Sequence, residues 1–331
     1  MKPQRLLLPL VPLYAAGLAL KNRHYHGDKS PARRLHYPVL SVGNLSVGGS
    51  GKTPVVLRLV ELARGQNIPT DVLSRGYQRS SRQTERVPPE GPAARYGDEP
   101  LLIAQQTGVP VYVGAKRYEA GLLAEREIPG PRLHILDDGF QHRQLHRDLD
   151  VVVLHASDFH EFLLPAGRLR EPLSALRRAH IFVLRAEDRA LEPELRSRNL
   201  HQPIWIMHRE LAAPPSCKSV IAFCGIARPN EFFQSLAISG ITLSARTAFP
   251  DHHTFTDADI NHLIDLQRRH PVRTFLTTEK DAVRLSPEQR ARLEAVATLR
   301  TAQLRVHFED ESKVRQELLT LLAPTENAPP L

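Results

Sequence analysis

The chain has 331 residues, 41% of them hydrophobic and 24% charged, which allows one large domain or two ordinary ones and excludes a small disulfide-stapled module. Its 44 Lys and Arg outweigh 36 Asp and Glu to give a net charge of +8, which favours an anionic partner. Aromatic residues, at 6%, never interleave with a basic tract, so nucleic acid is not expected as that partner; the two cysteines, Cys217 and Cys224, are too few for a disulfide framework and fit a reducing compartment.

Residues 6–20 read LLLPLVPLYAAGLAL, uncharged between Lys2 and Arg5 on one side and Lys21, Arg23, Lys29, Arg33 and Arg34 on the other. As a helix this stretch extends about 22 Å at ~1.5 Å per residue, short of the ~30 Å hydrocarbon core, and Pro9 and Pro12 disturb its first half. Residues 1–36 are therefore expected to form a membrane-associating segment lying at the interface, its flanking cations drawn to anionic lipid. A first helix buried against the domain is the plain alternative. A secretory signal loses because a nucleotide site follows at once.

From residue 37, short β-branched runs alternate with helical-period segments, the pattern of βαβ units and a mostly parallel sheet. Strands are expected at 39–42, 70–73, 111–113, 133–136, 151–154 and 181–184, a helix at 55–64, and a surface loop near the site at 80–97. After the Pro214-Pro215 step a second series begins, with strands at 220–223 and 274–277 and helices at 230–237, 257–268 and 313–322. The expected fold is α/β, with a P-loop NTPase-like, mostly parallel sheet in residues 37–211 and a smaller α/β lobe, 217–331, closing over the cleft.

The strongest local signal is Ser46-Val-Gly-Gly-Ser-Gly-Lys-Thr53, between a strand and an amphipathic helix. The amides of Ser46, Val47, Gly48, Gly49, Ser50 and Gly51 can curl around phosphates, Lys52 can reach the β- and γ-phosphates, and Thr53 can hold Mg²⁺. Ser46 stands where the motif's first glycine usually does. ATP and Mg²⁺ are thus the expected cofactors.

Residues 133–138 form an apolar run ending in Asp137 and Asp138, the form of a strand-end metal carboxylate, and one of the two can meet the ion directly. In Gly97-Asp-Glu-Pro100, Asp98 can cap a helix or accept the proton of an attacking hydroxyl, and Pro100 biases Glu99 away from helix. Arg170 and Glu171 read either as a solvated turn or as a phosphoryl clamp and a further metal ligand. In Asp251-His-His253, a histidine bonded to an aspartate of the other lobe is the sharper reading.

Together these residues resemble the lipid A tetraacyldisaccharide 4'-kinases of Gram-negative bacteria. The resemblance runs through the apolar N-terminus, Ser41-Val-Gly-Asn-Leu-Ser-Val-Gly-Gly-Ser-Gly-Lys-Thr-Pro54, Ser74-Arg-Gly-Tyr77, Gly97-Asp-Glu-Pro100, Leu136-Asp-Asp-Gly-Phe-Gln-His142, Gly167-Arg-Leu-Arg-Glu-Pro172, Phe249-Pro-Asp-His-His253 and Thr278-Glu-Lys-Asp-Ala282. It implies a kinase that moves the γ-phosphoryl of ATP to the 4'-hydroxyl of a tetraacyl glucosamine disaccharide 1-phosphate, on the cytoplasmic face of the inner membrane, as a peripheral or monotopic protein with no obligate protein partner. It also implies that a family Asp-His pair falls on Asp98 and His252 (or His253), with metal acids on Asp137 and Asp138 and an Arg-Glu pair on Arg170 and Glu171. That family uses serine at the position of Ser46. The main rival, a regulatory GTPase or metallochaperone, needs an Asn-Lys-x-Asp that Glu279-Lys-Asp281 does not supply.

Overall fold

The computed structural model describes residues 5–25, 32–49, 51–214 and 218–322. Their twelve strands are β1 (Val39–Asn44), β2 (Thr70–Ser74), β3 (Glu85–Arg86), β4 (Val111–Val113), β5 (Leu133–Asp137), β6 (Leu149–Leu154), β7 (Ile181–Arg185), β8 (Ile204–Ala212), β9 (Ser219–Cys224), β10 (Thr242–Ala248), β11 (Thr274–Thr278) and β12 (Thr298–Phe308). They make one sheet in the order β10-β9-β11-β12-β8-β7-β6-β1-β5-β2-β4-β3. Strands β8, β7, β6, β1, β5, β2 and β4 run parallel. So do β10, β9, β11 and β12. The two parallel blocks meet at an antiparallel seam, β8 against β12, in register from Gln303 opposite Ala212 to Phe308 opposite Met207.

Each of the eight strands expected from the sequence is present, because each is an apolar run covered on both faces, as parallel strands are. The four that the β-branched runs did not reveal are β3, β8, β10 and β12. In β12 buried Leu299, Ala302, Val306 and Phe308 are separated by Arg300, Gln303, Arg305 and His307, so the strand has one wet face and offers no continuous apolar run. The stretch 80–97, expected as a loop, contains β3 and a helical turn, Ala93–Tyr96.

Helix Lys52–Gly65 buries Val55, Val56, Leu59 and Val60 in a core shared with β1 and β5. Val306 and Phe308 of β12, with Val314 and Leu318 of helix Glu311–Leu322, belong to that same core. The end of the chain therefore returns from the second parallel block to pack beneath the first.

At the N-terminus a short 3₁₀ segment, Arg5–Leu10, leads into helix Val11–Arg23. Pro12 lies in the first turn, where no intrahelical donor is lost. Leu7, Val11, Tyr14, Ala15, Leu18 and Asn22 form the half-buried stripe, while Leu6, Leu13 and Leu20 are 94, 71 and 73% exposed. Among the described residues no helix is long and apolar enough to cross a membrane.

Away from the carboxyl ends of the strands, a buried ion cluster ties β2 to β5. His134 Nδ1 meets Asp71 Oδ1 at 2.7 Å and its Nε2 meets Glu125 Oε1 at 3.3 Å, with Arg132 on the other Asp71 oxygen at 3.2 Å. Burial opposes the imidazolium, but Asp71 and Glu125 outweigh it and raise His134 to about 9. Since that lies above the unfolded value of ~6.5, the contribution to stability is complete below pH ~6.5 and is lost as pH climbs through 9. Thermal unfolding followed by circular dichroism should show the melting temperature falling between pH 7 and 9.5. His134→Gln should melt lower and lose most of that slope; an equal slope in both proteins would remove His134 as its source.

Candidate active site

Parallel strands leave their ligand sites at their carboxyl ends, where the connections diverge. Here β1 and β5 are neighbours in register, Val42 opposite Asp137, so the loop after β1 and the acids after β5 emerge side by side. The loop turns through Gly48 (φ 100°) and Gly51 (φ 79°), left-handed conformations that a side chain resists. Ser46 has no such φ, which is why serine is tolerated there. From outside, residues 168–170 brace the loop: Val47 N–H donates to the Arg168 carbonyl at 2.8 Å, and Arg170 N–H to that of Leu45 at 2.7 Å. Ser50 lies outside the described residues.

Lys52 Nζ donates to Asn44 Oδ1 at 3.0 Å and lies 3.4 Å from Asp138 Oδ1. Arg170 forks onto Asp138 at 2.8 and 2.9 Å and also reaches Asn44. Burial works against the Asp138 anion, yet Lys52 and Arg170 together hold its carboxyl well below the usual range. Asp137 is the opposite case. It is 2% exposed, accepts among the described residues only a 3.2 Å side-chain hydrogen bond, from Ser74 Oγ, and burial followed by the charges of Glu99 and Asp138 pushes it up to about 7. A carboxylate so short of positive charge, next to Asp138 and the buried Thr53, is a hard-oxygen set that suits a divalent cation. Among the described residues no group of three or more His, Cys, Asp or Glu would hold a metal unaided, so such an ion would share its shell with nucleotide phosphates.

Asp98 opens helix Asp98–Thr107 without making a side-chain cap. Gly97, at φ 95°, precedes it because a Cβ there would stand 3.0 Å from Gly76 Cα; the Ser74–Tyr77 and Gly97–Pro100 motifs thus pack backbone on backbone. Contrary to the expectation drawn from Pro100, Glu99 is helical: the third position of a helix needs no N–H, so the proline costs nothing. Asp98 Oδ2 takes a 3.0 Å contact from His252 Nδ1 and a 2.6 Å hydrogen bond from Arg284 Nε. Burial raises Asp98, but His252 and Arg284 prevail and its carboxyl stays low. His253 points elsewhere, its Nε2 2.9 Å from Asp259 and its ring stacked on Phe249. Beside Asp98, Glu99 pairs with Lys280 at 2.6 Å, and that cation, offset by burial, draws its carboxyl down.

A cavity of about 870 Å³ joins these parts. Lys52, Thr53, Asp137, Asp138 and Arg170 line it from the first block, and His252 and Lys280 from the second; Asp98, 17% exposed, is bonded to the lining His252 and has no hydrogen bond to Oδ1 among the described residues. One end is walled by Arg75, Arg117, His142 and Arg143, together with Lys21 and Tyr25 from the end of the N-terminal segment. Burial and then Arg117 push His142 down to about 3; burial and then Arg75 push Arg117 down to about 10. His142 Nε2 and Arg117 Nε are buried without a hydrogen-bond partner among the described residues.

Glu171, expected in the metal shell, is not brought there. One residue past Arg170 the chain turns it inward, 1% exposed, where Arg178 occupies Oε2 at 2.6 Å and Asn22 reaches Oε1 at 3.2 Å. The residue pattern by itself gives no role to Lys280, Arg284, Asn44, Arg117 or His142. Lys280 lies inside the quoted Thr278–Ala282 motif and Arg284 two residues beyond it, so the motif itself was the signal.

A family model described as tetraacyldisaccharide-1-P 4'-kinase, LpxK, matches residues 3–323. The chain belongs to this kinase family. It is 43% identical over 288 residues to the tetraacyldisaccharide 4'-kinase of Koribacter versatilis, covering 84% of this chain and 88% of the relative, and 38% identical over 298 residues to that of Azoarcus sp. strain BH72, covering 86% and 84%. A crystal structure of "apo" form LpxK from Aquifex aeolicus in complex with ATP superposes with a TM-score of 0.76 at 32% identity, covering 96% of this chain and 98% of that one.

Among kinases of this P-loop form the lysine acts on the phosphates as a point charge that water does not replace. Lys52→Ala should cut turnover by ~100-fold or more with its melting temperature little changed, whereas His253→Ala should keep near wild-type kcat. Steady-state ATP turnover decides both, and a fully active Lys52→Ala enzyme would dissolve the nucleotide assignment.

Proposed function

We propose that this kinase moves the γ-phosphoryl group of ATP to the 4'-hydroxyl of a tetraacyl glucosamine disaccharide 1-phosphate in lipid A biosynthesis, working as a peripheral or monotopic protein at the cytoplasmic face of the inner membrane. One observation carries the reading: the exposed leucines of residues 6–20 lie on the segment whose end, Lys21 and Tyr25, lines the same cavity as the phosphate loop. A lipid held by its acyl chains in the bilayer thus has its sugar head beside the nucleotide. The cations Arg75, Arg117 and Arg143, with a neutral His142, suit the acceptor's phosphate.

In the reaction Lys52 and the loop amides hold the β- and γ-phosphates, and Arg170 balances charge on the transferring group. When bound, a magnesium ion held by Thr53, Asp137 and Asp138 neutralises phosphate charge. Asp98 accepts the 4'-hydroxyl proton at Oδ1 while His252 steadies Oδ2; the 4'-oxygen bonds to the γ-phosphorus as the bond to the β–γ bridging oxygen breaks, and ADP leaves.

Purified protein with Mg-ATP and the disaccharide 1-phosphate in detergent should add one phosphoryl group by mass, and no mass change would reject the reading. Asp98→Asn and His252→Ala should each lower kcat by ~100-fold or more while ATP still binds, and the double variant should lose little beyond either, as groups acting together do. Strictly additive losses would mean two independent roles. Deleting residues 1–20 should release the protein from anionic vesicles and depress turnover of vesicle-borne acceptor; unchanged co-sedimentation would count against the anchor.

A further inference from the structure

We propose that Arg284 is the positioning residue of the Asp98–His252 pair, a strut from the second parallel block that holds Asp98 Oδ2 and thereby leaves Oδ1 turned to receive the acceptor's proton. The inference rests on the reading of Asp98 as proton acceptor given above. Arg284 is itself held rigidly. Its Nη1 donates to Asp281 Oδ1 and to the Gly225 carbonyl, both at 2.8 Å, and the Gly225 carbonyl also takes the His252 N–H at 3.2 Å. Asp281, wholly buried, is fixed in turn by Gly225 N–H at 3.0 Å and Thr278 Oγ1 at 2.6 Å. One carbonyl thus sets the distance between the guanidinium and the imidazole that share Asp98. The side chain is only 5% exposed, so its ion pair is poorly screened by water.

Lys280 and Arg284 stand four residues apart on one short helical turn and its continuation, and they meet the adjacent acids Glu99 and Asp98. The second block therefore touches the helix Asp98–Thr107 through two matched ion pairs. Besides Arg284 and His252, the charged groups around Asp98 are Glu99 on its own helix, Lys280 paired to Glu99, Asp281 behind Arg284, and Asp251, 4.0 Å from His252 Nε2. Tyr77 meets the His252 ring edge-on at 5.5 Å. Of these, Arg284 alone puts a permanent cation on Asp98 itself. A guanidinium at this distance favours the carboxylate, so its removal should leave Asp98 protonated at higher pH.

The test is the pH profile of kcat with saturating Mg-ATP and detergent-dispersed disaccharide 1-phosphate, for wild type, Arg284→Gln and Arg284→Lys. Arg284→Gln should move the acidic limb up by ~1 unit or more and lower kcat ~10-fold or more near pH 6, with the KM for ATP within about twofold of wild type. Arg284→Lys restores the charge but not the fork, so the limb should return while kcat stays several-fold low. A limb that does not move in Arg284→Gln, whether kcat is normal or falls evenly with thermal stability, overturns the proposal. Should Arg284→Gln fail to fold, wild-type kcat in Arg284→Lys overturns it equally. Asp98→Asn separates the two readings: wild-type kcat there would sink Asp98 as acceptor, whereas its collapse beside an indifferent Arg284→Gln sinks only the present inference.

Discussion

Four carboxylates, Asp98, Glu99, Asp137 and Asp138, gather at one end of the sheet, where partial burial makes each negative charge costly unless a cation stands beside it. The rest of the site follows from how that cost is met. Asp138 is answered by Lys52 and Arg170, Glu99 by Lys280, and Asp98 by Arg284. These four cations come from the phosphate-loop helix, the segment bracing that loop, and the turn after β11. No single element supplies enough charge, so the site exists only when the two parallel blocks are joined. Asp137 has no cation of its own among the described residues, and it is the acid pushed toward neutrality. The charge ledger is left open at the place where a metal–nucleotide complex would complete it.

Much of this was legible in the sequence. Strands buried on both faces are written as unbroken apolar runs, and the phosphate loop as glycines before a Lys-Thr step, so β1, β5 and the helix between the loop and residue 65 could be read directly. Asp98 and Asp251-His-His253 could be singled out and, through the family resemblance, paired, but they lie some 150 residues apart, and it is the fold that brings His252, with its left-handed backbone (φ 57°), rather than His253 to the aspartate. Arg284, just past the Thr278–Ala282 motif, is easily passed over for another reason. In a chain with 44 Lys and Arg, one more arginine after a helical turn looks like a solvated charge until its partners are seen. Glu171 misled in the opposite direction, since adjacency to Arg170 says nothing about which way the next side chain turns.

The N-terminal helix shows how an apolar surface can be kept exposed without loosening the fold. Polar contacts hold it: Tyr14 donates to the Arg170 carbonyl at 2.9 Å, Asn22 reaches Glu171, and Arg143 donates to the carbonyls of Asn22 and Tyr25. The leucines are thus released from core duty. Through Arg170 and Glu171 the same contacts link this helix to the segment that braces the phosphate loop, so the helix with the exposed leucines and the phosphate loop share one support.

The antiparallel seam between β8 and β12 has a consequence for how the chain is made. Synthesis delivers the phosphate loop, the acids of β5 and all seven strands of the first block well before residue 298 leaves the ribosome, yet the core beneath the phosphate-loop helix lacks Val306, Phe308, Val314 and Leu318 until then. The last strand and helix act as a latch, joining the halves of the sheet and sealing that core in one late, long-range event. A nascent or C-terminally clipped chain therefore holds its catalytic parts in a scaffold still open along one edge and one face, the condition in which chaperones and proteases find their targets.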